Sequence, residues 1–398
     1  MERDPARSGG RSAVLAGVAL LLLGYCGLAV GTALDRAAVS STRLAAMVPE
    51  PFQQRALARE ASRLRDANEA AAALPLAEKL VARDPMSFDS LGFLGTARYA
   101  RQDAPGALAA FKVSAALGWR DAWTQAFWLQ ASLNAGDFEN AALRFGALIR
   151  QWPRAPVIDQ LSALFEGDPR GRTALARRIA LGAPWAGTYA APVLGQTADQ
   201  MRSRANVLIA AAGFGSKLGC DAVAGMTVGL AEAHPMVAAQ LWRAHCNRAA
   251  GEGRVANGRF AELDKVSAPS PFDWRFPGDG ALELDFVNSG DGSQALQVRS
   301  AAAARVPVAQ QMIPLSAGRY RISWTSDAAD AATAARVLAS LSCRLERQQA
   351  DPAPASWSAG HHEAMIDFDG NCQAPFLQLW LAPGGATIQI DNIAIAPA

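Results

Sequence analysis

Four histidines, His234, His245, His361 and His362, are all the imidazole chemistry in this chain of 398 residues. A histidine-based hydrolase or a multi-histidine metal site therefore has few groups to draw on. His361-His362 follows Ser356-Trp357-Ser358-Ala359-Gly360 and reads as a solvated surface turn. The glycine-rich stretch Gly213-Phe214-Gly215-Ser216-Lys217-Leu218-Gly219 lacks the spacing that lets backbone amides wrap a phosphate while a lysine reaches it, so it reads as a loop between two helices. No G-x-S-x-G elbow occurs, and Ser216 has no catalytic context. Paired carboxylates can hydrolyse a glycosidic bond without histidine. The pairs Glu283 with Asp285 and Asp367 with Asp369 are spaced by two, however, and Leu282, Leu284 and Phe286 take the face opposite the first pair. That is the pattern of a polar outer strand face, and no catalytic residue is expected.

The elements that would position such groups fall into three regions. With 51% hydrophobic residues the chain has material for two domains and an anchor, and its formal charge of +2 carries no footprint for nucleic acid. Residues 13–34 form an uncharged run, which at about 1.5 Å rise per residue crosses a hydrocarbon core of about 30 Å. Arg3, Arg7 and Arg11 precede it, so the positive-inside rule puts residues 1–12 in the cytoplasm. The expectation is a single-pass bacterial inner-membrane protein with its bulk in the periplasm, and residues 35–50 as a linker. A cleaved signal peptide ending near Gly31-Thr32-Ala33 is the competing reading, although its apolar core would be longer than usual. A lipoprotein reading of Cys26 fails because Tyr25 stands where a small residue is needed.

From 51 to 250 the pattern is helical, Ala- and Leu-rich, with an internal period. Ala73, Ala107 and Ala141 are each 34 residues apart, as are Asp103 and Asp137, and Phe111 and Phe145; Pro85 and Pro153 are two periods apart. Small Ala lets paired helices approach, the aromatic fills the groove with the neighbouring repeat, and Pro ends the second helix. Leu91, Leu94 and Gly95 fit the first helix of one repeat, and Gly136, Ala141, Phe145 and Pro153 the turn, second helix and terminator of the next. The region, over about 54–153, resembles the tetratricopeptide-repeat family. That resemblance implies a concave face that grips a protein partner; a rigid stalk is the alternative. Beyond Pro156 the pattern decays into degenerate repeats or a capping bundle.

From 255 to 398 the period becomes two. Leu282, Leu284 and Phe286 alternate, as do Tyr320, Ile322 and Trp324, which predicts a β-sandwich. Near the end the apolar phase slips between Ile388/Ile390 and Ile393/Ile395, so Asp391-Asn392 must hold a bulge. The opening Asn257-Gly258-Arg259-Phe260-Ala261-Glu262 with Trp274, the strand Gly318-Arg319-Tyr320 and the closing Ile390–Ile395 phrase resemble the jelly-roll, galactose-binding-like carbohydrate-binding modules of bacterial glycanases. The resemblance implies a sugar ligand, and sugar rings pack on exposed aromatics; Trp357, read in a loop, and Trp380 are the platform candidates, while Trp274 and Trp324 read as core. It also implies a structural calcium drawing on Glu262 and Asp391. Ala261 and Asn392 depart from the pattern at that site, so no cofactor is expected.

Four cysteines lie outside the apolar run, two in each region. The expected disulfide is Cys343–Cys372, with Cys220–Cys246 as the second pair that an even count allows and buried free thiols as the alternative. Together the regions describe a multidomain chain, helical and then all-β. Its expected role is a non-catalytic, membrane-anchored scaffold for a protein partner and a polysaccharide in exopolysaccharide or envelope assembly. The rival roles are a pure protein-interaction factor and an accessory subunit of a glycan-active enzyme.

Overall fold

A computed structural model of the chain describes residues 6–153, 155–246, 254–261, 263, 269–277, 280–289, 293–344 and 352–398. It divides into two compact units, Met1–Trp152 and Pro153–Ala398. The division falls inside the helical region expected over 51–250, so the later helices share a unit with the strands.

The first unit begins with α1 (Ala6–Ala37). Its window Val14–Ala37 has a mean hydropathy of 2.2, long and apolar enough to cross a membrane. Residues 35–50, expected as a linker, carry the end of α1, a short α2 (Thr42–Met47) and the start of a 3-10 turn, Glu50–Phe52. Two contacts fasten α1 to the helical elements beyond it. The Phe52 ring fills the space a side chain at Gly31 would occupy, and the Asp35 carboxylate accepts the amides of Arg55 and Ala56 at 2.9–3.0 Å.

Three helical hairpins come next: α3 (Gln54–Asp66) with α4 (Leu74–Arg83), α5 (Phe88–Ala100) with α6 (Ala104–Leu117), and α7 (Ala122–Asn134) with α8 (Phe138–Gln151). The first helices start 34 residues apart. So do the second ones, once the 3-10 turn Ala70–Ala73 leading into α4 is counted. The cause lies in three recurring residues. Ala73, Ala107 and Ala141 are buried at the helix crossings. Asp103 and Asp137 cap α6 and α8 by accepting the amides of Gly106 and Asn140. Between the helices of each pair the chain turns through the left-handed region at Asn68 (φ 62°), Gln102 (64°) and Gly136 (71°), again 34 apart.

The second unit opens with α9 (Pro156–Glu166), α10 (Pro169–Ala180), α11 (Ala186–Ala190), α12 (Ala198–Gly213), α13 (Cys220–Leu230) and α14 (Pro235–His245). A disulfide, Cys220–Cys246, ties the start of α13 to the residue after α14.

Nine strands follow among the described residues: β1 (Leu282–Asn288), β2 (Gln294–Ser300), β3 (Val306–Met312), β4 (Gly318–Ser326), β5 (Val337–Ser342), β6 (Ala355–Ser358), β7 (His361–Phe368), β8 (Phe376–Leu381) and β9 (Gly384–Pro397). They form two antiparallel sheets, β1-β2-β9-β4-β7-β6 and β3-β8-β5, with one apolar core that includes Phe260, Trp274, Ile322, Trp324, Leu379 and Ile390. The slipped phase of β9 resolves as a bulge against β4 with Asn392 at φ 53°, which keeps Ile388, Ile390, Ile393 and Ile395 all inside. The two phrases that bracket the sandwich in sequence meet in space. Ile393 N–H donates to Gly258 O at 2.9 Å, and a Cβ at Gly258 would stand 2.1 Å from Ile393 O, so only glycine fits. Cys343–Cys372 forms the second disulfide, and Cys26 of α1 is a free thiol.

Candidate functional site

The first helix of each hairpin contributes equivalent residues, 34 apart, to one groove. Arg55, Asp89 and Trp123 form one such row, Arg59, Phe93 and Phe127 a second, and Ser62, Thr96 and Gln130 a third. All nine line one or both of two chambers. The larger, of about 690 Å³, takes its walls from α3 and the N-terminal ends of α5 and α7; the smaller, of about 480 Å³, is lined by the C-terminal half of α5, by α7 and by Phe111 of α6. Trp123 is a wall of both.

The two chambers differ in chemistry. Arg55, Arg59, Arg65 and Arg120 face Asp84, Asp89 and Asp121 in the larger one. Arg65 is held in place: its guanidinium lies 4.9 Å from the Phe93 ring centroid and 4.7 Å from that of Trp123, and donates to Ser62 Oγ at 2.7 Å. The guanidinium groups of Arg55, Arg59 and Arg120 have no hydrogen bond or ion pair among the described residues. Asp121 caps α7 by accepting Thr124 N–H at 2.7 Å. Burial raises its carboxyl above the ordinary range, opposed by the Thr124 bonds and reinforced by the neighbouring Asp89, itself raised by burial. The smaller chamber is aromatic. Phe127 stacks on Phe111 at 4.3 Å and meets Tyr99 edge-on at 6.2 Å.

The resemblance to tetratricopeptide repeats implied a concave face but named none of the residues that line this groove. Its rows recur in position and not in residue type, so Arg, Asp and Trp at one period leave no visible repeat. The tractable signal was geometric: once the first helices are set in register, positions 55, 59 and 62 and their equivalents share a face.

Trp274 and Trp324 are core rings as expected, whereas four other sandwich residues singled out from sequence sit elsewhere than expected. Trp380 is 1% exposed and donates its Nε1–H to Ser340 Oγ at 2.8 Å, so it is a core ring and not a sugar platform. Both faces of β8 are covered, which alternation along one strand could not reveal. Trp357 lies on edge strand β6 instead of a loop, half-buried and opposite His362. His361 and His362 belong to β7, not to a surface turn. The His362 ring is 1% exposed, lies flat on the Trp324 indole at 5.0 Å and 12°, and places Nε2 2.7 Å from Ser326 Oγ. Burial lowers its pKa to about 4, with His361 adding to the effect, so the imidazole is a neutral core group at pH 7.

Glu283, Asp285, Asp367 and Asp369 are exposed, as a polar outer face requires. Of the calcium candidates, Glu262 lies outside the described residues. Asp391 turns its carboxylate onto the bulge, accepting Asn392 N–H at 2.6 Å. No cluster of three metal-ligating side chains occurs among the described residues.

A second polar cluster lies among α9, α11 and α12. Arg204, buried, reaches Glu166 Oε1 at 3.1 Å and Asp159 Oδ1 at 3.0 Å, and Tyr189 O–H donates to Glu166 at 2.8 Å. Burial pushes the Tyr189 hydroxyl well above its ordinary pKa. Each charge has its partners, which is what burial demands, and the cluster reads as a structural network.

The chain matches no protein-family model and no curated protein.

Proposed function

We propose that this protein is a non-catalytic, membrane-anchored scaffold whose helical repeats, similar to tetratricopeptide repeats, hold a protein partner. One observation carries the reading: the first helices of three successive hairpins place equivalent residues on one open groove, with arginines that have no hydrogen bond or ion pair among the described residues at one end and an aromatic chamber at the other. Binding sites are concave, with a few placed polar groups against apolar walls, and this groove has both parts. In this reading α1 anchors the chain in a bacterial inner membrane, the rest lies in the periplasm, and the process is exopolysaccharide or envelope assembly.

The test is site-specific photocrosslinking from Ser62 and Thr96 in the full chain, in its native envelope. A discrete protein adduct at groove positions, absent from the outer-face control Asp367, is expected. Equal or no adducts at all three positions would sink the proposal.

A second reading leaves the sandwich without a glycan ligand, and the burial of Trp380 favours it. Of the two platform candidates only Trp357 is partly exposed. Affinity electrophoresis in envelope polysaccharide decides between them: retardation abolished by Trp357→Ala supports the glycan role, and unretarded wild type removes it.

A further inference from the structure

We propose that the two chambers together take one extended peptide segment of a partner, its acidic residues against Arg55, Arg59 and Arg120 and its large apolar side chain between Tyr99, Phe111 and Phe127. This rests on reading the helical unit as a partner-binding face, and it specifies the chemistry of what is bound.

Charge complementarity carries the first half. The larger chamber holds four arginines, Arg55, Arg59, Arg65 and Arg120, against three aspartates. Arg55, Arg59 and Arg120, whose guanidinium groups have no hydrogen bond or ion pair among the described residues, are the free valence of the site, and a carboxylate satisfies a guanidinium better than any neutral group. Arg65 is excluded from this role because Phe93 and Trp123 already cover it.

The second half comes from the smaller chamber. Its walls are mainly apolar, with Tyr99, Phe111, Trp123 and Phe127 beside Ala126 and Ala131, and its polar groups are Thr96, Gln130, Asn134, the Tyr99 hydroxyl and the Trp123 indole N–H, so it suits a Phe, Leu or Met side chain. Because Trp123 belongs to both chambers, the acidic and apolar parts of a ligand must be neighbours in one chain.

An anionic lipid offers the same pair of chemistries but the wrong order. Val39 and Arg55, which line the basic chamber, adjoin the end of α1, whereas no residue of α1 to α4 lines the apolar one. A lipid headgroup could reach the arginines from a bilayer, but its tail would then have to point away from it.

The experiment uses the full chain in detergent micelles and a fluorescein-labelled peptide with a run of Glu ending in Phe-Leu-Phe, read by anisotropy. The comparison is the same peptide with Lys for Glu. Saturable binding of the acidic peptide only is expected, weakened about tenfold or more by Arg55→Glu with Arg59→Glu and about threefold by Tyr99→Ala. Circular dichroism checks that each variant keeps its helix content. Equal binding of the two peptides, no binding below about 1 mM, or indifference to the Arg variants would overturn the inference. So would displacement of the peptide by short-chain phosphatidylglycerol with the same arginine dependence, which assigns the groove to a lipid headgroup. If the Ser62 and Thr96 adducts persist while the peptide fails, the inference falls and the scaffold reading stands; if both fail, both fall.

Discussion

Asp35, at the end of the apolar helix α1, accepts the backbone amide of Arg55 with both its carboxylate oxygens, at 2.9 and 3.0 Å, and so caps α3 across 20 residues of chain. An N-terminal cap is ordinarily local, and here the cap comes from a different helix. The Asp35 side chain is correspondingly buried, at the end of a helix whose apolar run from Val14 to Val30 is exposed.

Asp35→Ala removes the acceptor for three hydrogen bonds from Arg55 and Ala56. The expected loss is about 1–2 kcal/mol, with Asp35→Asn losing less. Hydrogen exchange in detergent checks it: the amides of Arg55 and Ala56 should lose protection first. Unchanged exchange there would show that the cap is idle.

Gln102 occupies the left-handed turn position that Gly136 fills one repeat later. A side chain at φ 64° is strained, and Gln102→Gly should stabilise the helical unit by about 1 kcal/mol, with Gly136→Gln destabilising by a similar amount. Urea midpoints of the two variants, moving in opposite directions, are the measurement.

Gly92 gives Asp121 its room, since a Cβ there would stand 2.3 Å from the carboxylate. Gly92→Ala should displace Asp121 from the start of α7 and lower stability by about 1–2 kcal/mol. The same substitution made in Asp121→Ala should have little further effect, a non-additivity that a double-mutant cycle reads directly. The folded-state pKa of Asp121 is raised above the unfolded value, so its contribution is full below the unfolded pKa and is lost as pH rises through the raised one. Asp121→Asn should accordingly flatten the decline in stability above the ordinary carboxylate range.

His362 titrates the other way. Its folded pKa of about 4 lies below the ordinary 6.5, so the stability it contributes is present above 6.5 and is lost as pH falls toward 4. The full loss is on the order of 3 kcal/mol. His362→Gln should remove that part of the acid sensitivity of the sandwich, and proton NMR of the His362 ring should place its midpoint near 4. A midpoint at the ordinary value would contradict the burial of the ring.

Reduction should separate the two disulfides by element. Cys343–Cys372 spans 29 residues of sandwich and Cys220–Cys246 spans 26 residues of helix. Loops of that size correspond to about 3 kcal/mol each in the chain-entropy picture. Cys343→Ser with Cys372→Ser should lower the unfolding midpoint of the second unit and leave helical content near native, as near- and far-ultraviolet dichroism can report.

The periodic features were readable because one residue type repeats one physical task. Ala73, Ala107 and Ala141 each let a helix pair close, and their spacing returns as the spacing of helix starts. The alternation of Tyr320, Ile322 and Trp324 likewise becomes β4, with all three side chains inside. What stayed hidden depends on partners that are distant in sequence. Trp380 alternates like an outer-face residue, yet the polar atom it needs is on Ser340, one strand over. His361-His362 comes after a real turn, Ala359-Gly360, but the chain has already entered β7. The groove rows differ in chemistry at each repeat, so a period search sees the scaffold and misses the lining.

The clasp between Gly258 and Ile393 has a bearing on how the chain is made. β9 follows the other described strands of the sandwich in the chain, yet it lies between β2 and β4 in the middle of the six-stranded sheet. Those two strands must wait, each with one edge unpaired, until residues through Ile395 have arrived. Folding of the sandwich is therefore a late event, after synthesis of the segment is complete, and it is the stage at which this protein most needs protection from aggregation.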